Sequence, residues 1–401
     1  MTQSQPTKEN SDPSLELSLS TIEGMDQIEA SAWDACANPP GQPSNPFVKH
    51  SFLKALEDSG SVGPGTGWQP LHAVVKAGDG QVVGCAPLYA KSHSYGEYVF
   101  DWAWADAYQR AGGDYYPKLL CAAPFTPASG PRLLARGDVE GLSADRIRSA
   151  LVQALVQVCQ GTNTSSLHIN FPTAFEADFA QELGLMKRVG LQFHWHNNGY
   201  NSFDDFLAAL NSRKRKAVKK ERKEAAATGL DIRRLQGSEI SEAHWDAFFR
   251  FYMNTSDRKW GSAYLTREFF SLIDAQDVVL VMCFDGTRPV AGALNMLGGD
   301  CLYGRNWGCD EDYKMLHFEA CYYQAIEYAI EHKLPRVEAG AQGHHKLQRG
   351  YLPQPTYSLH WIKDPGLDEP IKRFVTMEAE QVEAEIAGLT EQESPYRKAE
   401  C

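Results

Sequence analysis

The segment Arg336-Val-Glu-Ala-Gly-Ala-Gln-Gly-His-His-Lys-Leu-Gln-Arg-Gly-Tyr351 decides how the chain is read. Val337 to Ala341 has a short β pattern and runs directly into a loop holding His344, His345, Lys346 and Arg349. Gly340, Gly343 and Gly350 punctuate the segment, where backbone freedom or close approach comes cheaply. Upstream, the run from about Leu316 to His332 has helical spacing, with Met315, Phe318, Tyr322, Ile326 and Ala329 on one apolar stripe. A helix that feeds a strand ending in a charged loop is an α/β unit. Ligands in such units collect at the carboxyl ends of the strands.

Further upstream, Val278–Phe284, a turn at Asp285-Gly286 and the run Pro289–Met296 form a hairpin pattern. The same order occurs earlier in the chain. Leu71–Lys76, a turn at Gly78-Asp79-Gly80 and Gln81–Tyr89 precede a helical run over about 144–159 and a strand pattern at Ser166–Phe171. Two copies of hairpin, helix and strand predict a tandem repeat of one α/β module. The expected division is a disordered polar leader over 1–20, an N-terminal module over 21–195 and a C-terminal module over 196–401. The first copy carries an insert, residues 92–138, dense in aromatics, Gly and Pro. So many aromatics argue against disorder. The insert is either an ordered loop plugging its own small core or one wall of a substrate site, with Asp101, Trp102, Tyr115 and Lys118 as its candidate binding residues.

The 401 residues leave room for about two or three domains. No apolar run approaches the roughly 20 residues of a membrane helix. The polar N-terminus has no hydrophobic segment of the signal-peptide kind, and the nine cysteines are odd in number with no Cys-x-x-Cys spacing. Together these point to reduced thiols and a cytoplasmic protein. A net charge of −12 argues against nucleic-acid binding by the protein as a whole. One helical stretch, 211–226, reverses the sign locally with Arg213-Lys-Arg-Lys-Ala-Val-Lys-Lys-Glu-Arg-Lys223. It is either a solvated face or an attractor of a polyanion, such as the phosphates of a cofactor or an RNA.

Candidate chemistry gathers in the second copy. Tyr303, Arg305 and Trp307 alternate along one strand pattern, which predicts three large polar-tipped side chains on one pocket wall. Trp260 belongs to a second aromatic and basic cluster, Arg258-Lys-Trp-Gly-Ser-Ala-Tyr264. Glu319 falls beside the apolar stripe near a helix start, and His317 on the opposite side. Glu319 there either complements the helix dipole or is a buried base. Glu338 on the strand and His345 beyond it are the other candidate bases. Gln342 belongs to the same loop, and Lys346 or Arg349 would meet a phosphate or carboxylate. There is no phosphate loop, no dinucleotide fingerprint, no nucleophile elbow and no His-Glu-x-x-His helix. Adjacent histidines such as His344-His345 diverge, so neither a metal nor a tightly bound cofactor is expected.

Several segments together resemble a known bacterial family. They are Gly96-Glu-Tyr-Val-Phe-Asp-Trp102, Tyr115-Tyr-Pro-Lys-Leu-Leu120, Gln192-Phe-His-Trp195 and Arg258-Lys-Trp-Gly261. Leu302-Tyr-Gly-Arg305, Trp307-Gly-Cys309, Leu316-His-Phe-Glu-Ala-Cys-Tyr-Tyr323 and Glu338-Ala-Gly-Ala-Gln-Gly343 complete the set. Over roughly residues 45–362 the chain is similar to the Fem-like predicted N-acyltransferases of the GNAT superfamily. The resemblance implies an α/β (α+β) fold of tandem GNAT-like acyl-CoA acyltransferase modules, with mixed sheets flanked by helices. It implies peptidoglycan-related N-acyl transfer from acyl-CoA or aminoacyl-tRNA as co-substrate to a small-molecule or peptide amine. Either donor requires a deprotonated amine, a polarised carbonyl and aligned reactants. The basic run resembles a Lys/Arg-rich helix common to such modules, which implies possible tRNA contact through 213–223. One departure stands out. The family motif reads Gly-Glu-His-Lys where this chain has Gly343-His344-His345-Lys346, leaving the base open among His344, His345 and Glu338. The superfamily's pyrophosphate loop is not apparent before Leu316, where Asp310-Glu-Asp312 would repel phosphates. The alternative reading is therefore a non-catalytic protein that keeps the pocket and recognises a cell-wall or peptide ligand.

Overall fold

Fifteen strands gather into two sheets among the residues that the computed structural model describes, 16–259, 263–341 and 343–397, without the side chains of 256–259. In chain order they are β1 (Leu17–Ile22), β2 (Trp68–Pro70), β3 (His72–Ala77), β4 (Val82–Ala86) and β5 (Leu88–Lys91). Next come β6 (Lys118–Cys121), β7 (Leu134–Ala135), β8 (Ser166–Asn170), β9 (Met186–His196) and β10 (Asp231–Leu235). The last five are β11 (Val278–Asp285), β12 (Arg288–Leu297), β13 (Cys301–Cys309), β14 (Arg336–Glu338) and β15 (Leu352–Ile362). The smaller sheet has the order β1-β3-β4-β7, and the larger runs β10-β11-β12-β13-β14-β9-β15-β8-β6-β5-β2.

The expected repeat is present. Both hairpins form, β3 with β4 and β11 with β12, because an Asp-Gly turn lets two β-rich runs fold back on each other. The helix Ala144–Gly161 leads to β8, and a helical stretch ending at Glu331 leads to β14. The two copies also exchange strands. β9 lies between β14 and β15, and β15 lies between β9 and β8. The centre of the exchange is the antiparallel β9–β15 ladder, where Gly190 faces Thr356. On either side, β14 sets Glu338 opposite His194, and β8 sets His168 opposite His360.

Alternation then sorts the large sheet into two unlike faces. Leu167, Ile169 and Leu359 pack under Ile147 and Leu151 of the helix Ala144–Gly161, while Phe193, Trp195, Val337 and Leu302 pack under Tyr323, Ile326 and Ala329. Their neighbours in sequence, His168, His360, Gln192, His194 and Glu338, line up across the other face, called here the front. A row of buried polar groups across four strands is more than packing requires.

Four expectations are corrected. Residues 17–20, assigned to the leader, are part of β1, which pairs antiparallel with β3 and packs Leu17 and Ile22 partly against the core. The insert 92–138 is no single loop, since it contains the helix Trp102–Arg110, β6 and β7. Tyr303 and Trp307 do not share a face. The β12–β13 pairing steps from Asn295↔Gly304 to Leu294↔Asn306, so Arg305 is an unpaired bulge residue that shifts the alternation by one. His317 is not turned away from the apolar stripe either. The helix runs as Leu316–Phe318, a π turn Glu319–Tyr323 and Gln324–Glu331, and the π turn brings the His317 ring 5.5 Å from that of Tyr322. The basic helix forms as expected over Ser212–Ala226, capped by the Asn211 side chain, which accepts from Lys214 N at 3.0 Å. No helix among the described residues is long and apolar enough to cross a membrane.

Candidate active site

Glu338 ends β14 on the front face, in a cleft of about 670 Å³ walled by both halves of the chain. Asn45 and Ser129 come from the first half, His194 and His196 from β9, and Asp300, Tyr303 and Arg336 from the second. The Glu338 carboxylate accepts the Ser129 backbone N–H at 3.3 Å, lies 3.3 Å from Arg336 Nε and 3.9 Å from His194 Nε2. Arg336 is shared, because Asp300 holds its far side at 3.1 Å and its Nη2 donates to the Tyr303 hydroxyl at 3.4 Å. Burial pushes the Glu338 carboxyl up to about 7, with Arg336 and the Ser129 N–H pulling only partly against it. Burial also lowers the His194 imidazole to about 3, so it faces Glu338 as a neutral ring. A carboxyl poised near neutrality in a cleft has the property a general base needs.

Two residues past Glu338 the chain turns at Gly340, whose carbonyl accepts from Lys346 Nζ at 2.7 Å. Burial lowers the Lys346 amine to about 7. Beyond it, on the helix side of the sheet, is an aromatic group. His345 Nε2 lies 3.0 Å from the Tyr322 hydroxyl, and Trp307 packs against the His317 ring at 5.4 Å. Arg305, released by its bulge, is half-buried on the front side. It donates to the Phe125 carbonyl and lies over Phe47, so the second half reaches into the insert.

The remaining candidates stand elsewhere. Glu319 is held by Arg222 of the basic helix through two bonds of 3.0 and 3.1 Å, and by Gln324 at 2.8 Å. Arg349 is bidentate to Glu221 of that helix at 2.9 and 3.0 Å, with its guanidinium over Phe318. Both residues tie the basic helix to the body of the protein. Lys118, Asp101 and Tyr115 form a buried network of their own. Lys118 donates to Asp101, to Glu97 at 2.7 Å and to Ser94 at 2.8 Å, and Tyr115 donates to Asp101 at 2.6 Å. Tyr115 then meets His168, whose Nδ1 lies 2.7 Å from that of His360. Trp102 is exposed beside Tyr95. Trp260 and Gln342 lie outside the described residues.

His194, Arg336 and Ser129 are site residues that the sequence reading passed over. For His194 a signal existed, since Gln192, His194 and His196 alternate with Leu191, Phe193 and Trp195 along a strand. Ser129 carries none, because only its backbone contributes.

Comparison with known proteins places this geometry in context. No curated protein sequence matches the chain. Among solved structures, FemX is 13% identical, with a TM-score of 0.52 over 86% of this chain and 98% of that one. The C-terminal domain of a putative lysylphosphatidylglycerol synthetase from Agrobacterium fabrum is 8% identical, at 0.51 over 88% of this chain and 95% of that one. L-PGS from Bacillus licheniformis is 9% identical, at 0.50 over 85% and 99%. At such identities the likeness is one of fold. A family model described as FemAB-like, for peptidoglycan biosynthesis or recognition, matches residues 24–398, and the chain belongs to that family.

Proposed function

We propose that this protein transfers an acyl or aminoacyl group from acyl-CoA or aminoacyl-tRNA to the amine of a small-molecule or peptide acceptor. The observation that carries the reading is Glu338, a buried carboxyl in the cleft between the halves with its pKa raised to about 7. The amine nitrogen attacks the donor carbonyl, Glu338 takes the proton that the nitrogen must lose, and the same proton passes to the departing thiol sulfur or ribose oxygen as its bond to the carbonyl carbon breaks, which regenerates the carboxylate. The Ser129 N–H bonds the carboxylate at 3.3 Å, Arg336 Nε lies at the same distance, and the neutral His194 ring faces it at 3.9 Å, beyond hydrogen-bond reach.

The basic helix supports a polyanionic donor. Arg213, Lys216, Lys219, Lys220 and Lys223 are exposed, while Val218 and Ala225 are buried against the protein. Family membership supports an acceptor from peptidoglycan metabolism. The test is transfer of label to amine acceptors from a panel of acyl-CoAs and aminoacyl-tRNAs, with Glu338→Gln alongside. Transfer by the native protein and its loss in the variant support the reading. Absence of transfer across the panel, or a fully active Glu338→Gln, overturns it.

A further inference from the structure

A second cavity, about 230 Å³, opens on the front face over the centre of the β9–β15 ladder. Gln192, whose Nε2 donates to the Pro127 carbonyl at 3.0 Å, separates it from the Glu338 cleft. Whatever enters is therefore held apart from the reacting atoms. Val99, Phe100 and Phe171 of the first half line the cavity, as does Val382 of the C-terminal helix Pro365–Gln392.

Three observations bear on what belongs there. The backbone is strained to build the lining. Tyr98 and Phe171, both part of it, have φ of 59° and 55°, and they are two of only five non-glycine residues in the left-handed region among the described residues. Strain of this kind in a bulky residue gathers at ligand sites. The polar groups of the floor, in turn, answer each other. Arg188 Nε and Nη2 donate to Glu378 at 2.6 and 2.8 Å, and Ser358 Oγ lies 2.8 Å from His360 Nε2. The surroundings, finally, are apolar and open. Of the nine exposed large apolar side chains among the described residues, Tyr95, Phe100, Trp102, Phe374 and Met377 belong to the two segments that Arg188 joins, one through the Phe100 carbonyl at 2.8 Å and the other through Glu378. Phe100 is 55% exposed and lines the cavity itself.

A phosphate or a carboxylate would have to displace Glu378 from Arg188 to find a cation here. An apolar guest breaks no bond on entering, and it takes its own surface and that of Phe100 out of water. A cavity of about 150 Å³ lined by apolar side chains holds benzene, so in proportion this one holds about eight or nine carbons. The exposed side chains of the two joined segments offer the rest of a longer chain an apolar surface. We infer that the small cavity binds the end of a single hydrocarbon chain of an amphiphile, as an anchor walled off from the Glu338 cleft. The assignment is independent of the transferase reading, because binding alone tests it.

The probes are n-octyl β-D-glucoside, kept below its micelle threshold, and methyl β-D-glucoside, which has the same head and no chain. Both are titrated against the full chain by saturation-transfer NMR. The native protein is expected to bind the octyl compound through its chain protons and to ignore the methyl one. Val382→Trp fills the cavity and should weaken octyl binding at least ten-fold, while Phe100→Ser, at an exposed position that leaves folding intact, should weaken it at least three-fold. Thr356→Val, which makes the floor more apolar, should bind within two-fold of native or tighter. No octyl binding by the native protein, or equal binding of the two glucosides, overturns the assignment. So does a loss of five-fold or more in Thr356→Val, since the ligand would then be held by the hydroxyl. Thermal melts accompany each variant. If Val382→Trp does not fold, Phe100→Ser decides alone, and native affinity in that variant overturns the assignment.

Discussion

Glu338 Oε2 lies 3.9 Å from His194 Nε2, on neighbouring strands that come from opposite halves of the chain. Neither half alone makes this pair. The strand exchange that sets β9 beside β14 brings a neutral imidazole to the carboxylate, and the Ser129 loop of the first half adds an N–H from the side. The equivalent place in the other half of the exchange holds His168 against His360, with the Trp104 ring 4.8 Å from His360. One copy of the repeat keeps an open cleft at this position, and the other is filled by its own insert.

The first prediction concerns pH. Under the proposed mechanism Glu338 must be ionised to take the proton, so kcat/KM should rise with pH and level off above about 7, the value to which burial pushes its carboxyl. Glu338→Gln should flatten that rise and lower kcat by about 10²–10⁴-fold. A pH–rate profile of both proteins checks it.

The same group makes a prediction about stability, of opposite sense. The folded-state pKa is raised, so the folded protein holds a proton on Glu338 that the unfolded chain releases above about 4.3. The resulting destabilisation is absent below that pH, grows between about 4.3 and 7, and is complete above. Glu338→Gln should therefore be more stable than the native protein at pH 8, by up to about 3 kcal/mol, and no more stable at pH 4. Urea titrations at the two pH values measure this.

Much of the fold was readable because periodic patterns and turn residues report on local structure. The Asp-Gly turns gave both hairpins, the 3.6 spacing gave the helix before β14, and the charged end of that strand gave Glu338. Two single-residue irregularities defeated the same logic further along. The bulge at Arg305 sends Trp307 to the opposite face from Tyr303, and the π turn at Glu319–Tyr323 turns His317 toward Tyr322. Each inserts one residue, and after it every periodic assignment is out of phase. The exchange of β9 and β15 was hidden for another reason. It depends on pairings between residues 140 or more apart, which no local pattern encodes.

Lys118 predicts a structural role for the network in the insert. It is fully buried between Glu97 and Asp101, and its charge overrides the burial that would otherwise raise Asp101, holding that carboxyl at about 2. Lys118→Met leaves buried Asp101 without its cation and Glu97 with only Lys91, 3.8 Å away. The expected loss is about 3–5 kcal/mol, partly restored by adding Asp101→Asn. Chemical denaturation of the single and double variants checks both statements.

The basic helix offers a prediction in which two kinds of residue separate. Its outer lysines, Lys216, Lys219, Lys220 and Lys223, are exposed, whereas Arg222 is bonded to Glu319 and Glu327 and lies over Phe203. If the outer row meets tRNA phosphates, replacing all four lysines by serine should reduce the slope of log affinity against log salt by about three to four while leaving the melting temperature near native. Arg222→Ala should do the reverse, lowering stability by leaving buried Glu319 without its charge partner and changing the salt slope little. Binding of tRNA measured at several salt concentrations, beside thermal melts of both variants, gives the comparison. An unchanged slope in the fourfold lysine variant would remove the helix from the donor site and leave acyl-CoA as the donor to pursue.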